Sequence, residues 1–336
     1  MILITSKFLK SKVKFIYDLK IRGYKMLRSI TFLISALTIM IGYLIGSYFV
    51  DFALKRVDIN DINSAPPAAE NIRDNSIIVP ERPNFASENW TTISEDGLNL
   101  NATHFLPDKQ SRRWAILVHG YGRDQRYAWD YAEAYLKQGY EVLTPDLRAA
   151  GTSEGIYVTM GDKESDDILL WIEKILQVDS QAEIILHGVS MGAATVIMTA
   201  SKSQSLNLKA VIEDCAYTNA FDMFSMQLNK IFNLPSFPIM NFVDIVSKFK
   251  TGISISEAAP INYVKNINVP ILFIHGTEDK LVPYYMMQEL YDACHSPVKE
   301  IFSAEGAEHA GSKNLNPNSY YRRIFSFIDQ YAEDYD

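Results

Sequence analysis

AEIILHGVSMGAATVIMTA, residues 182–200, passes from an apolar run to a small-residue run through one glycine-flanked turn. Residues 182–186 form a short apolar run of strand length, and from Met191 to about Ser201 small and apolar residues follow one another as in a buried helix. Between them stands Gly188-Val189-Ser190-Met191-Gly192, a G-x-S-x-G sequence. Alone the pentapeptide says little. Set between a strand and a helix, it describes a turn so sharp that its flanking positions have to be glycine. The serine at the tip is pushed into a strained backbone with its hydroxyl exposed. Ser190 is therefore the candidate nucleophile, and Gly188 and Gly192 form the elbow that presents it.

The same alternation continues on both sides. Residues 91–94 and 99–105 read as an antiparallel hairpin around Glu95-Asp96-Gly97. Residues 114–118, 141–144, 208–213, 270–274 and 298–302 are short apolar strands. Helical patterns cover 128–136, 166–176, 284–293 and 320–331. Such alternation predicts an α/β fold, a mostly parallel eight-stranded sheet with helices on both faces. Ligands in such sheets bind beyond the carboxyl ends of the strands. Three of the strands end in one dipeptide, His119-Gly120, His187-Gly188 and His275-Gly276, so the distinctive residues gather at that edge.

A serine nucleophile needs donors for the negative charge that develops on the carbonyl oxygen. The N–H of Met191, at the start of the helix, is one candidate for this oxyanion hole. The N–H of Tyr121, in the His119-Gly120-Tyr121-Gly122 loop, is the other. His119 itself reads as a residue that shapes the loop. Residues 216–262 interrupt the alternation and are rich in Phe and Met, which predicts a small helical cap lining an acyl or aromatic pocket. The plainer alternative is one ordinary helix packed on the sheet.

The motifs HGYG, DLRAAGTSEG, GVSMG, HGTEDKLVP and GAEHA, in that order, resemble the α/β-hydrolase superfamily over about residues 90–333. The resemblance extends to membrane-anchored bacterial hydrolases of the esterase or serine-aminopeptidase-like kind. It implies the chain order nucleophile, acid, base. Asp279 then matches the acid and His309 the base, with Asp214 as a fallback acid and Glu278 and Glu308 as bystanders. In such a triad the serine attacks, the imidazole carries the proton, and the carboxylate holds the imidazole tautomer. Where relatives carry D-x-R-G-H-G-x-S, this chain reads DLRAAGTS and lacks the loop histidine.

Residues 29–50 contain no charged side chain, and at ~1.5 Å per residue they cover about 30 Å, a bilayer core. The run is longer than a signal-peptide core and lacks a small-residue cleavage pattern near its end, so a retained transmembrane anchor is expected. Residues 1–28 hold basic side chains from Lys7 to Arg28 against the single acid Asp18, which predicts a cytoplasmic N-terminus and a catalytic body outside. Arg22-Gly23 can be encoded by a purine-rich run upstream of Met26, which makes Met26 a second candidate start. Residues 51–90, rich in Asn, Pro and Ala from residue 57, read as a linker, and 91–336 as the hydrolase domain with 216–262 as its cap.

Because the basic residues crowd into the N-terminus, the rest of the chain is more acidic than the total of −8. That argues against nucleic acid as a partner. Cys215 and Cys294 show no metal-ligand spacing and read as two buried or half-buried free thiols, with a disulfide as the alternative outside the cytoplasm; the serine chemistry needs no metal or organic cofactor. The expected activity is hydrolysis of a small carboxylic ester or thioester through an acyl-enzyme. A peptidase or amidase using the same residues is the alternative within the fold, and a catalytically silent binding module the alternative outside it.

Overall fold

The structure, a computed structural model, describes residues 2–56 and 80–332. Eight strands, β1 (Ala86–Ile93), β2 (Asn99–Leu106), β3 (Arg113–Val118), β4 (Glu141–Pro145), β5 (Glu183–Val189), β6 (Leu208–Asp214), β7 (Ile271–Gly276) and β8 (Lys299–Ala304), form one sheet. Their spatial order is β1-β2-β4-β3-β5-β6-β7-β8. The first two pairings, β1 with β2 and β2 with β4, are antiparallel, and the rest are parallel. This is the α/β architecture expected from the sequence.

The helices, in chain order, are α1 (Ile2–Leu54), α2 (Trp129–Lys137), α3 (Asp162–Val178), α4 (Met191–Lys202), α5 (Ala220–Phe232), α6 (Ile239–Thr251), α7 (Pro260–Tyr263), α8 (Tyr285–Ala293), α9 (Ser312–Leu315) and α10 (Pro317–Tyr331). The pleat sorts the strand residues between two cores. Ile116, Val118, Ile184, Leu186, Val211 and Phe273 face one side, with α3, α4 and the cap helices over them. Ala115, Leu117, Ile185, Ile212, Leu272 and Ile274 face the other, under α2 and α10. Side chains such as Leu186 and Ile212 are fully buried, each stabilising the fold by roughly 1.5–3 kcal/mol.

Several boundaries differ from the sequence reading, three of them with a clear physical reason. Helix α3 starts at Asp162, because buried Glu164 reaches back to the Gly161 N–H (2.8 Å) and caps the first turn. Strand β1 begins at Ala86, within the stretch read as linker, because Trp90 is buried on a sheet whose edge is otherwise polar. Helix α1 continues past residue 50 to Leu54, since Val50 and Leu54 are buried in the main core. The rest of the expected linker, residues 57–79, lies outside the described residues.

Within residues 216–262 the chain forms two helices, α5 and α6, separated by a segment holding Pro235 and Pro238. Helix α1 is long and apolar enough to cross a membrane from Tyr17 to Leu54.

Candidate active site

Strand β5 ends at Val189, and the chain reverses at Ser190, whose φ of 57° and ψ of −118° lie where side chains rarely go. The Ser190 N–H donates to the Asp214 carbonyl at the end of β6 (2.8 Å), which pins the turn to the neighbouring strand. A Cβ on Gly188 would collide with the Gly192 carbonyl, and one on Gly192 with the Val118 carbonyl. Glycine at both positions is thus a matter of space. A Cβ on Gly120 would lie 3.3 Å from Ser190 Cβ, so the His119–Gly122 loop packs directly on the elbow.

His119 is buried with Nδ1 at 2.9 Å from the Gly120 carbonyl, while the Leu147 N–H donates to Nε2 (3.1 Å). A carbonyl accepts and an N–H donates, so the ring is the neutral Nδ1–H tautomer. Burial holds its pKa below the ordinary value. It shapes the loop, as the sequence reading had it. His187 is likewise held by two tyrosine hydroxyls, those of Tyr135 (3.2 Å) and Tyr320 (3.1 Å).

Ser190, Asp279 and His309, widely separated in the chain, come together beyond the strand ends. Ser190 Oγ lies 2.9 Å from His309 Nε2, and His309 Nδ1 lies 2.7 Å from Asp279 Oδ2. A carboxylate only accepts, so the imidazole proton sits on Nδ1 and the Nε2 lone pair faces the serine hydroxyl. Asp279 Oδ1 accepts the N–H groups of Leu281 (2.9 Å) and Val282 (2.8 Å). Burial pushes the Asp279 pKa up, but hydrogen bonds from His275 and His309 outweigh it and hold the carboxyl well below the usual range.

His275 is the neighbour that sequence reasoning missed. Its Nε2 lies 3.3 Å from Asp279 Oδ2 and 2.9 Å from the Val282 carbonyl. The signal was its dipeptide at the end of β7, four residues before Asp279, but two other strands end in the same pair. Asp214 makes no hydrogen bond to His309; it accepts from the Tyr320 hydroxyl (2.8 Å), and burial pushes it up to about 6. Glu278 and Glu308 line the cavity over Ser190.

That cavity holds about 1060 Å³ and is walled by Met223, Phe224 and Leu228 of α5 and Met240 and Val243 of α6. Phe49, Phe52 and Ala53, from the last turns of α1, complete the wall, and Tyr121 and Met191 also face it. The donor atoms of Cys215, Asp279 and His309 lie within 4.8 Å of one another. Burial pushes the Cys215 thiol well up, which favours the neutral form over the thiolate a metal would need. Cys215 and Cys294 are both free and buried.

Glu213 on β6 is fully buried; its Oε2 accepts the Ala216 N–H (3.0 Å), while Oε1 has no partner among the described residues. Burial pushes its pKa up to about 8. In the unfolded chain it would ionise near ~4.3. Between those values the folded state binds more protons, so stability falls as pH rises through that window. We expect the Tm to drop from pH 6 to pH 9 and Glu213→Gln to flatten that drop. A variant with the same pH slope as wild type would show the burial to be relieved by other means.

Residues 129–334 match the prolyl oligopeptidase family. The chain is similar to protein bem46 of Schizosaccharomyces pombe, 30% identical over 75% of this chain and 80% of that protein. It is also similar to YqkD of Bacillus subtilis, 28% identical over 69% of this chain and 76% of that protein. Among solved structures, the esterase Pf2001 of Pyrococcus furiosus superposes with a TM-score of 0.62 at 24% identity, covering 76% of this chain and 98% of that one. The acylaminoacyl peptidase of Pyrococcus horikoshii gives a TM-score of 0.56 at 20% identity, covering 76% of this chain and 43% of that one. A G-x-S-x-G elbow on an eight-stranded sheet and a family match over most of the chain converge on one statement: this protein is an α/β-hydrolase belonging to the prolyl oligopeptidase family.

Proposed function

We propose that the protein is a membrane-anchored serine hydrolase cleaving small carboxylic esters or thioesters, with Ser190, His309 and Asp279 as its catalytic triad. The observation that carries this reading is the unbroken run of hydrogen bonds from Asp279 through His309 to Ser190 Oγ beside an apolar cavity. Ser190 Oγ attacks the acyl carbonyl while His309 Nε2 takes its proton, and the oxygen's charge falls on the N–H groups of Met191 and Tyr121. His309 then returns the proton to the leaving alcohol or thiol, and a water activated the same way releases the acid. Helix α1 serves as a single-pass anchor, with its basic N-terminal residues cytoplasmic and the catalytic domain on the other side.

The test is labelling of the full chain in membranes with a fluorophosphonate, followed by mapping of the modified peptide. The label is expected on Ser190 and competed by p-nitrophenyl butyrate; no label, or label elsewhere, overturns the triad. The family match favours a second reading, a peptidase on the same residues. Faster turnover of an N-acyl peptide p-nitroanilide than of the butyrate ester would replace the ester reading with that one.

A further inference from the structure

Gly42, Gly46, Val50 and Leu54 stand one turn apart along α1, and all four are buried against the protein. Helix α6 lies on this stripe. A Cβ on Gly42 would run into the Phe242 ring, and one on Gly46 would lie 2.6 Å from the Phe242 carbonyl oxygen and 2.7 Å from Val246 Cγ2. The glycines of α1 let the α6 backbone, with Phe242 and Val246, come close, as small residues do between helices in lipid. Lys250 closes the far end, donating to Asp51 (2.7 Å), and the Tyr121 hydroxyl donates to the Ala53 carbonyl (2.6 Å).

These contacts set a height. Phe242 sits at Gly42 and Gly46, and Lys250 at Asp51, so α6 runs alongside α1 in the same direction. Gly42 is eight residues inside the uncharged run that ends at Val50, or ~12 Å along the helix. If α1 crosses a bilayer, the first turns of α6 lie within the outer part of the apolar layer. The side chains are suited to that depth. Ile245 and Phe249, one turn apart beside the α1-facing stripe, are 56% and 82% exposed, and Phe237, just before α6, is 77% exposed. On another side of α6, Asp244 accepts from Ser256 and Lys248 donates to Glu257. The same two helices wall the cavity, α1 through Phe49 and Phe52 and α6 through Met240 and Val243.

We infer that the substrate is a long-chain acyl ester resident in the bilayer, and that it reaches Ser190 from the membrane along the α1–α6 face. This rests on the membrane-anchored ester hydrolase reading above and names the substrate class of that site. The acyl chain lies against the apolar wall; a bond forms between Ser190 Oγ and the acyl carbon, the C–O bond to the leaving alcohol breaks, and His309 passes that alcohol the serine proton. Water then hydrolyses the acyl-enzyme and releases the fatty acid.

The test uses the full chain in phosphatidylcholine nanodiscs with two esters, 4-methylumbelliferyl palmitate dissolved in the bilayer and p-nitrophenyl acetate in the water. The double variant Phe237→Glu/Phe249→Glu changes residues outside the cavity wall. It is expected to lower kcat/KM for the palmitate by about tenfold or more, since charge is expelled from the apolar layer, and to leave acetate turnover within about twofold. Equal loss on both esters, or on neither, overturns the inference. A wild type active on acetate and inert on palmitate overturns it and leaves the ester hydrolase reading standing, whereas a wild type inert on both removes that reading and the inference with it. A second measurement needs no turnover. A nitroxide on Ile245→Cys should be relaxed by oxygen over a water-soluble nickel chelate, the reverse of one on Leu206→Cys, where the native residue is 91% exposed. Equal nickel access at both sites overturns the inference.

Discussion

Ser190→Ala is expected to lower kcat for p-nitrophenyl butyrate by about 10⁵- to 10⁶-fold, with little change in Tm. On the proposed mechanism the substitution removes the atom that attacks, and it removes nothing that holds the turn. The Ser190 N–H still donates to Asp214, and Gly188 and Gly192 still make room for the crossing backbone. Alanine meets the same positive φ as serine, so the strain at residue 190 is kept. Whatever turnover remains reports the oxyanion donors and the cavity acting on water alone. A variant keeping more than about a hundredth of wild-type kcat would show that another nucleophile does the chemistry, since deletion of a triad serine leaves far less.

The second large effect is expected at Asp279→Asn, about 10⁴-fold in kcat. The amide oxygen can keep accepting from Leu281 and Val282, so the loop survives. Its NH₂ then points at His309 Nδ1, which must now accept. The imidazole proton moves to Nε2 and faces Ser190 Oγ, where a lone pair is needed. The charge that steadies the imidazolium during proton transfer is lost as well. Asp214→Asn provides the contrast. That carboxyl makes no hydrogen bond to His309, so its loss should cost less than about tenfold. Reversal of the two effects would move the acid to the end of β6.

The fold was legible because its elements announce themselves locally. Short apolar runs bounded by glycine give strands, and AEIILHGVSMG joins one to a helix in a single reading. Motif order singled out Asp279 and His309, since each follows a strand at the edge where ligands bind, and the structure sets them within hydrogen-bond distance in line with Ser190. What escaped depends on contacts between distant segments. His275 was hidden among three identical dipeptides, and only the packing of β7 against its neighbours sets it beside Asp279. The start of β1 was hidden because an edge strand exposes polar side chains on both faces, and buried Trp90 alone marks its inner side. The pairing of α1 with α6 left one trace, the four-residue spacing of Gly42 and Gly46, but a spacing does not name its partner.

The end of α1 also bears on how encounters between enzyme and substrate are counted. Lys55 bridges to Tyr157, Arg56 donates to the carbonyls of Gly151 and Ser153, and the Val158 N–H donates to Leu54. A body swinging on a slack tether would sample a hemisphere of solution and meet solutes by bulk concentration. If α1 crosses a bilayer, as proposed, a body fastened at this many points holds its cleft at a constant angle to that helix, and its collisions become lateral ones in a plane. For a reactant sharing that plane, rate follows molecules per unit area. Diluting the suspension then changes nothing, whereas adding inert lipid slows every turnover.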